Sequence, residues 1–255
     1  MMLKSFTDNN APAFDTSNIE AVLFDLDGTL IDVDMRCFVP LYLKRLTKRM
    51  SDLAAPNKIA AILHQAVAEM FANLDRGKTL EQILHRELES ELGIDAATYQ
   101  MHLEQFCRDD LVELKPLVKQ HPLSRQMIET CLERGWQVVV ATNPIFPRAV
   151  VDARLCWGEL DDLPYRLITA YENSSFCKPS PHYFTEILNL LQVAPQNCLM
   201  IGNDSQHDTS ATQVGIRTCL LTTWRIDRPG ASFQADWEGP HEELLPLLQS
   251  KSGFD

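Results

Sequence analysis

The sequence predicts an α/β fold, in which helices cover both faces of a parallel sheet. Short apolar runs that indicate buried strands alternate with helical segments from residue 116 onward. This alternation is typical of βαβ units, whose right-handed crossovers build a parallel sheet. The segment 32–115 shows helical periodicity without a strand pattern. We therefore expect a sheet core from 1–31 and 116–255 and an inserted all-helical domain from 32–115.

The N-terminal half is expected to contain one strand followed by four helices. A loose polar tail extends to about Ile19, and the first strand begins at Ala21 and ends at Asp25. Gly93 is expected to end the third helix and Asp95 to cap the fourth. Apolar residues at helical spacing predict the first three helices over 38–50, 59–71 and 80–92.

The C-terminal half is expected to alternate strands and helices up to Trp224 and then to be irregular until a last helix at 242–249. Ser180 and Pro181 are suited to the N-cap and first turn of a helix. A further helix should begin at Asp208 and stop near Gly215. The other expected helices cover about 122–134 and 147–156, and the expected strands cover 136–141, 165–170, 198–201 and 217–221.

Composition excludes several classes of partner. The chain has 255 residues, a formal net charge of −12, 45% hydrophobic and 23% charged residues. The negative charge argues against binding to nucleic acid or to anionic membranes. No apolar run reaches the length of a membrane span or a signal peptide. The cysteine count is odd and has no CxxC pair, which favours buried free thiols and a cytoplasmic location.

The motif Asp25-Leu26-Asp27-Gly28-Thr29 is the main candidate site. Its two carboxylates follow a buried strand at spacing i, i+2, at the strand end where ligands bind in open α/β sheets. Like charges this close repel unless a cation neutralises them. An incidental Asp-Gly surface turn is the alternative. An EF-hand is excluded because the loop lacks its further oxygen ligands.

Other polar residues also follow predicted strands. Thr142 and Lys178 come after the second and third strands, and Asp204 comes after the fourth. Because parallel strands end at one edge of the sheet, these side chains should meet Asp25 and Asp27 around one pocket. Carboxylates, a hydroxyl and a lysine suit a phosphoryl group held with Mg²⁺.

In this order, the motifs resemble the haloacid dehalogenase superfamily. They are Asp25-Leu26-Asp27-Gly28-Thr29, Thr142, Lys178 and the segment 202–208, and the resemblance covers about 21–224. The likeness is to its phosphatase branch, similar to phosphoglycolate phosphatases. It implies a Rossmann-like core with a type 1 helical cap that closes over the site. It also implies a phosphatase that uses Mg²⁺.

The resemblance assigns a role to each motif. Asp25 would be the nucleophile that forms an aspartyl-phosphate, and Asp27 the acid and then the base. Dehalogenases that resemble this fold lack the second Asp, so its presence favours phosphoryl chemistry. Thr142 and the Asn143 amide would bind phosphoryl oxygens. Lys178 would neutralise Asp25 and the phosphate.

The fourth motif departs from the usual form, because Asn203 stands where many relatives have Asp. We expect Asp25, Asp27 and Asp204 to bind the metal, since the charge of Asp204 completes an anionic site. Asn203 is the alternative ligand. Asp208 is expected to orient a ligand or Lys178.

Several further polar residues are weaker candidates. Two histidines lie near the motifs, and three charged residues follow the first motif. All five are more typical of a solvated surface than of a site: His182, His207, Asp34, Arg36 and Lys44.

The sequence therefore predicts a cytoplasmic Mg²⁺-dependent phosphatase that acts on a small phosphorylated metabolite. A phosphomutase, phosphonatase or dehalogenase on the same core is an alternative, as is a non-catalytic regulatory protein. The substrate and the oligomeric state are left open.

Overall fold

The computed structural model describes residues 15–250. In chain order the elements are β1 (Ala21–Phe24), β2 (Ile31–Val33), α1 (Met35–Arg49), α2 (Pro56–Ala72), α3 (Leu80–Leu92), α4 (Ala96–Asp109), β3 (Val118–Gln120), α5 (Ser124–Glu133), β4 (Gln137–Val140), α6 (Arg148–Trp157), β5 (Leu167–Ile168), α7 (Pro181–Leu191), β6 (Cys198–Gly202), β7 (Arg217–Leu221), β8 (Trp237–Gly239) and α8 (His241–Gln249). Short 3₁₀ helices occupy Leu111–Leu117, Pro195–Asn197 and Thr209–Val214.

A six-stranded parallel sheet in the order β5-β4-β1-β6-β7-β8 forms the core. The central strand β1 is buried on both faces. Val22 and Phe24 belong to one apolar cluster, and Ala21 and Leu23 belong to another. This alternation follows from the two-residue period of a strand. Helices therefore cover both faces, and the predicted α/β fold is confirmed.

The helical segment leaves and rejoins the core through a small ribbon. β2 and β3 pair antiparallel, with Val33 opposite Val118, and α1 to α4 lie between them in the chain. Gly93 ends α3 in the left-handed conformation, and the Asp95 side chain accepts a hydrogen bond from the Thr98 amide. Both predicted caps are confirmed. The division into domains at 32 and 115 stays a prediction.

Three short strands were not expected from the sequence. β2, β3 and β8 each contain three residues, which is too short to show a two-residue pattern. β8 lies in the segment after Trp224 that was expected to be irregular. β5 has two residues where a strand over 165–170 was expected.

Two further expectations were wrong in part. The helix expected from Asp208 to near Gly215 is a 3₁₀ helix over Thr209–Val214. The Asp208 side chain does not cap it, and instead accepts hydrogen bonds from the amides of residues 203 and 204. The N-terminal tail was expected to be loose up to Ile19. Residues 1–14 lie outside the described part, but Thr16 and Ile19 are buried.

The seven cysteines are all free, but they are not all buried as expected. Cys198 and Cys219 are buried in strands, whereas Cys37 and Cys156 are exposed. Within residues 15–250, no helix is both long and apolar enough to cross a membrane.

Candidate active site

A buried lysine joins two carboxylates at the centre of the site. Lys178 Nζ lies 2.7 Å from Asp25 Oδ1 and 2.6 Å from Asp208 Oδ1. Asp25 directly follows β1, and all three residues are buried. The second oxygen of Asp208 accepts the Asn203 and Asp204 amides, both at 2.9 Å. Asp208 thus links the Lys178 ammonium to the main chain at residues 203 and 204.

This close arrangement depends on a glycine at the end of β6. A Cβ atom on Gly202 would lie 2.2 Å from Cγ of Asp208. Any larger residue would therefore displace the Asp208 carboxylate and with it the ammonium that Asp208 holds.

The charges of this cluster shift the pKa values of its members. Burial, together with the negative charges of Asp208 and Asp27, raises the pKa of Asp25 to about 7, although Lys178 opposes the shift. Burial alone would lower the pKa of Lys178, but Asp208 and Asp25 raise it above its ordinary value. Lys178 therefore stays charged. The negative charge of ionised Asp25 is only partly balanced by the Lys178 ammonium.

Asp27 is held by an arginine that sequence reasoning missed. Arg154 Nη1 donates to Asp27 Oδ2, and the Arg154 side chain is fully buried. The guanidinium carbon lies 4.7 Å from the ring centre of Phe146 and 5.5 Å from that of Phe38. Arg154 lies on the buried face of α6 beside Val150 and Val151. A charged residue within an apolar helical stripe was the signal that could have identified it.

Thr142 and Asn143 line the cleft above Asp25, as expected from the sequence. Asn143 Oδ1 accepts the Lys178 amide at 3.1 Å, and Asn143 Nδ2 donates to the Lys178 carbonyl at 3.3 Å. This reciprocal pair fixes the backbone of Lys178, a role for the Asn143 side chain that the sequence did not indicate. The Thr142 main-chain carbonyl accepts hydrogen bonds from the Thr169 and Tyr183 hydroxyls. The Thr142 side-chain hydroxyl takes no part in these two hydrogen bonds.

Asp204 and Asn203 have different surroundings. Asp204 Oδ1 accepts the Gln206 and His207 amides at 3.0 and 2.8 Å, and Oδ2 accepts from Arg228 Nε at 2.6 Å. Although burial opposes it, these contacts lower the pKa of Asp204. The Asp204 carboxylate is therefore ionised and engaged on both oxygens.

Asn203 instead faces the first motif. Its Nδ2 donates to the Trp224 carbonyl at 2.6 Å. A Cβ atom on Gly28, which has a φ of +83°, would lie 2.2 Å from that nitrogen. The glycine of the first motif thus allows the Asn203 amide to lie directly against the loop that carries Asp25 and Asp27.

The cleft above these groups has a volume of about 210 Å³. Its floor is polar and includes Asp25, Thr142 and Lys178. Its walls are mainly apolar, with contributions from α1, α2, the loop after β4 and the loop after β7: Met35, Val39, Phe71, Ile145, Phe146 and Ile226.

The weaker sequence candidates lie mostly away from the cleft. His207 lines it, and burial lowers the pKa of its imidazole. His182 is exposed and packs beside Phe176. Asp34 caps α1 and pairs with Arg36, whose side chain is 91% exposed. Lys44 is also exposed. The last four are surface residues, as their sequence context suggested.

The residues present are suited to a divalent cation, although not through carboxylates alone. Asp27 Oδ1 is buried without a hydrogen-bond partner among the described residues. Burial and the nearby negative charges of Asp208 and Asp27 raise the pKa of Asp25, so a cation beside these carboxylates would offset negative charge. In residues 15–250, no three His, Cys, Asp or Glu side chains are grouped closely enough to hold a metal. An amide or main-chain oxygen would have to complete the ligand set.

The family follows from comparison of the sequence with known proteins. Residues 19–213 match the haloacid dehalogenase-like hydrolases. The chain belongs to this family of hydrolases. A curated relative, the pyrophosphatase PpaX of Bacillus mycoides, is 22% identical over 241 residues, which cover 92% of this chain and 99% of PpaX.

Solved structures of this family share the fold. A predicted phosphoglycolate phosphatase from Haemophilus somnus has a TM-score of 0.56 and 18% identity, covering 92% of this chain and 100% of its own. A dehalogenase solved with an intermediate complex has a TM-score of 0.55 and 16% identity, covering 92% and 99%. Because a phosphatase and a dehalogenase match almost equally, the fold does not distinguish the two reactions.

Proposed function

We propose that this hydrolase is a Mg²⁺-dependent phosphatase that acts on a small phosphorylated metabolite through an aspartyl-phosphate on Asp25. The observation that carries the proposal is the pair of carboxylates, Asp25 beside Lys178 and Asp27 two residues later. A halide ion leaves without a proton, whereas an alkoxide leaving group needs one. A second carboxylate beside the nucleophile therefore favours phosphoryl transfer over dehalogenation.

The first step transfers the phosphoryl group to the protein. Asp25 Oδ1 accepts from Lys178, and its other oxygen has no hydrogen-bond partner among residues 15–250, so that oxygen can attack phosphorus. The P–O bond to the leaving group breaks as the new bond forms. Asp27, protonated on Oδ1 in the complex with substrate while Oδ2 accepts from Arg154, gives that proton to the departing oxygen. Lys178 and the Thr142 hydroxyl would stabilise the charge on the transferring group.

The second step releases phosphate. Asp27, now a carboxylate, takes a proton from water as that water attacks phosphorus, and the bond from phosphorus to Asp25 breaks. Asp25 and a protonated Asp27 are regenerated, and the net products are an alcohol and inorganic phosphate.

Asp25, Asn203 and a main-chain oxygen of Asp27 would hold the metal, since the Asp27 carboxyl is needed for proton transfer. The contacts of Asp204 favour Asn203, the alternative named from the sequence, as the third ligand, because Asp204 would have to give up Arg228 or two turn amides to bind a cation. The Asn203 side chain makes one hydrogen bond among the described residues, from Nδ2 to the Trp224 carbonyl, so its amide oxygen is available as a ligand. When bound, Mg²⁺ would supply positive charge that keeps Asp25 ionised and offsets charge on the phosphoryl group.

The helical segment 32–115 is proposed to act as a cap domain over the site. Its helices α1 and α2 contribute Met35, Val39 and Phe71 to the walls of the cleft. A cap of this kind would exclude water during transfer and would limit substrates to small molecules. Two small substrates are suggested by the names of relatives, namely pyrophosphate and phosphoglycolate.

Turnover of p-nitrophenyl phosphate tests the proposal. We expect Mg²⁺-dependent release of nitrophenol by the purified full chain and its loss on addition of EDTA. Asp208→Asn is a useful companion, because it should weaken the hold on Lys178 and lower kcat without removing the nucleophile. Absence of turnover with Mg²⁺, Mn²⁺ and Co²⁺ would contradict the proposal.

A further inference from the structure

The walls of the active-site cleft are mainly apolar, which is unusual for a site that binds a highly charged substrate. Phe71 and Ile226, at its mouth, are large hydrophobic side chains that are 41% and 42% exposed. Exposed apolar residues that gather at a concave site usually mark a binding surface. Phe71 lies in α2 and Ile226 lies in the loop after β7, so two separate segments each contribute an apolar side chain to the mouth.

The cleft has little positive charge to spare for a second anionic group. The permanently cationic side chains that line it are Lys178 and Arg228. Lys178 already lies within 2.7 Å of two carboxylates, and Arg228 lies 2.6 Å from Asp204. The phosphoryl group would share Lys178, and a second phosphate or carboxylate would share the Arg228 guanidinium with Asp204, which accepts from Arg228 Nε. Such a shared arginine offers a second anionic group less positive charge than an unpaired arginine would.

A second cavity lies beside the cleft, among residues of the helical segment. This cavity, called here the side pocket, shares Val39, Ile145 and Phe146 with the cleft and has a volume of about 90 Å³. Its remaining walls come mostly from α1 and α2 and include Leu43 and Val67. The volume is enough for roughly three water-sized groups, and an apolar lining does not hold water well.

We propose that the side pocket binds an uncharged apolar carbon chain on the leaving group, so that the preferred substrates are phosphate monoesters of apolar alcohols. This inference rests on the proposed phosphatase function and adds the substrate class. With the phosphoryl group at Asp25 and Lys178 and the leaving oxygen beside Asp27, the carbon chain would extend along the apolar walls, which the side pocket adjoins at Val39, Ile145 and Phe146.

A series of n-alkyl phosphates tests the inference with the full chain and Mg²⁺. Burial of each added methylene should raise kcat/KM about fourfold, so that butyl phosphate exceeds methyl phosphate by about 60-fold. Phosphoglycolate and inorganic pyrophosphate should be turned over no faster than methyl phosphate. A flat response to chain length, or a preference for either dianionic compound, would overturn the inference while leaving the phosphatase proposal intact.

A variant that fills the side pocket can be compared with a control variant that adds the same ring outside it. Val67→Phe should lower the butyl-to-methyl ratio of kcat/KM from about 60 to near one, by removing room for the three added methylenes. Ala68→Phe adds the same ring at the next, exposed position of α2 and should keep the wild-type ratio. Should Val67→Phe fail to fold, as judged by circular dichroism, Val67→Leu should lower the ratio about fourfold.

The outcomes separate the two proposals. An unchanged ratio in a folded Val67→Phe protein would overturn the role of the side pocket. If no ester is hydrolysed, including p-nitrophenyl phosphate, the phosphatase proposal fails and the substrate class fails with it.

Discussion

Arg154 donates a hydrogen bond to Asp27 from a side chain with no solvent exposure. The Asp27 side chain is 12% exposed, so both charges of the pair lie largely outside water. Arg154 Nη2 and Asp27 Oδ1 are buried without hydrogen-bond partners among the described residues. Each charge therefore depends on the other, which ties the second carboxylate of the first motif to α6 rather than to the cap.

Loss of Arg154 should destabilise the fold. Arg154→Met removes one partner of a buried ion pair, a change that typically costs about 3–5 kcal/mol of the free energy of unfolding. Urea unfolding of Arg154→Met, Asp27→Ala and the double variant provides a double-mutant cycle, because alanine removes every oxygen that could accept from Arg154. We expect the double variant to be less destabilised than the sum of the single variants. Strict additivity would show that the two side chains are not coupled.

The fold was largely predictable because its main strands are continuous apolar runs bounded by turn residues. β1, β4, β6 and β7 were all expected close to their observed positions, since buried parallel strands consist of such runs. β8 was not, because it is a short edge strand of mixed polarity that is positioned by its neighbour. The Asp236 side chain, just before β8, accepts a hydrogen bond from the Thr218 amide in β7. Such a contact has no local sequence pattern.

The site was predictable where one motif supplies it and not where distant segments meet. Asp25 and Lys178 were paired correctly because each follows a strand of the same sheet. Asp27 and Arg154 are 127 residues apart in sequence, and no local pattern relates them. The engagement of Asp204 likewise depends on Arg228, in a loop of irregular backbone that the sequence does not place.

Asp25 should make stability depend on pH. Its pKa is raised from 3.8 to about 7 in the folded chain, so the folded state binds the proton more tightly than the unfolded state. The contribution of Asp25 to stability is therefore full below about pH 4 and is lost as the pH rises towards 7. Asp25→Asn removes this contribution, because the amide carries no charge at any of these pH values.

Urea unfolding of both proteins in EDTA, from pH 4 to pH 8, measures the difference. The variant should gain stability relative to the wild type as the pH rises, and it should have no phosphatase activity because an amide cannot attack phosphorus. A difference that is constant with pH would contradict the raised pKa. Turnover by Asp25→Asn at a near wild-type rate would contradict its role as nucleophile.

The metal ligand can be assigned by comparing two alanine variants. Asn203→Ala should raise the Mg²⁺ concentration for half-maximal activity by at least tenfold, because it removes a proposed ligand. Asp204→Ala should raise it less, since the Asp204 carboxylate is engaged by Arg228 and two amides. Calorimetric titration with Mg²⁺ gives a readout that does not depend on turnover. The reverse order of the two variants would assign the ligand to Asp204.

Asp27→Asn should remove the proton donor for the leaving group while keeping the hydrogen bond from Arg154. Asparagine keeps an oxygen that can accept from Arg154, so the hydrogen bond of the wild-type protein can persist. The proton needed by the leaving oxygen is lost, and such general acid assistance contributes about 10²- to 10⁴-fold. An alkyl phosphate, which leaves as a basic alkoxide, should lose the full factor in its first step. p-Nitrophenyl phosphate should lose much less, because nitrophenolate leaves without a proton.

Rapid-quench measurement of the first turnover distinguishes this role from a structural one. With p-nitrophenyl phosphate, Asp27→Asn should release a burst of nitrophenol and then turn over slowly, because the second step still needs a base for the attacking water. Phosphorylated protein should accumulate to the same extent as the burst. Equal slowing of aryl and alkyl esters in the first step would show that Asp27 is not the acid. Its contribution would then be the ion pair with Arg154 and the position of the loop that carries Asp25.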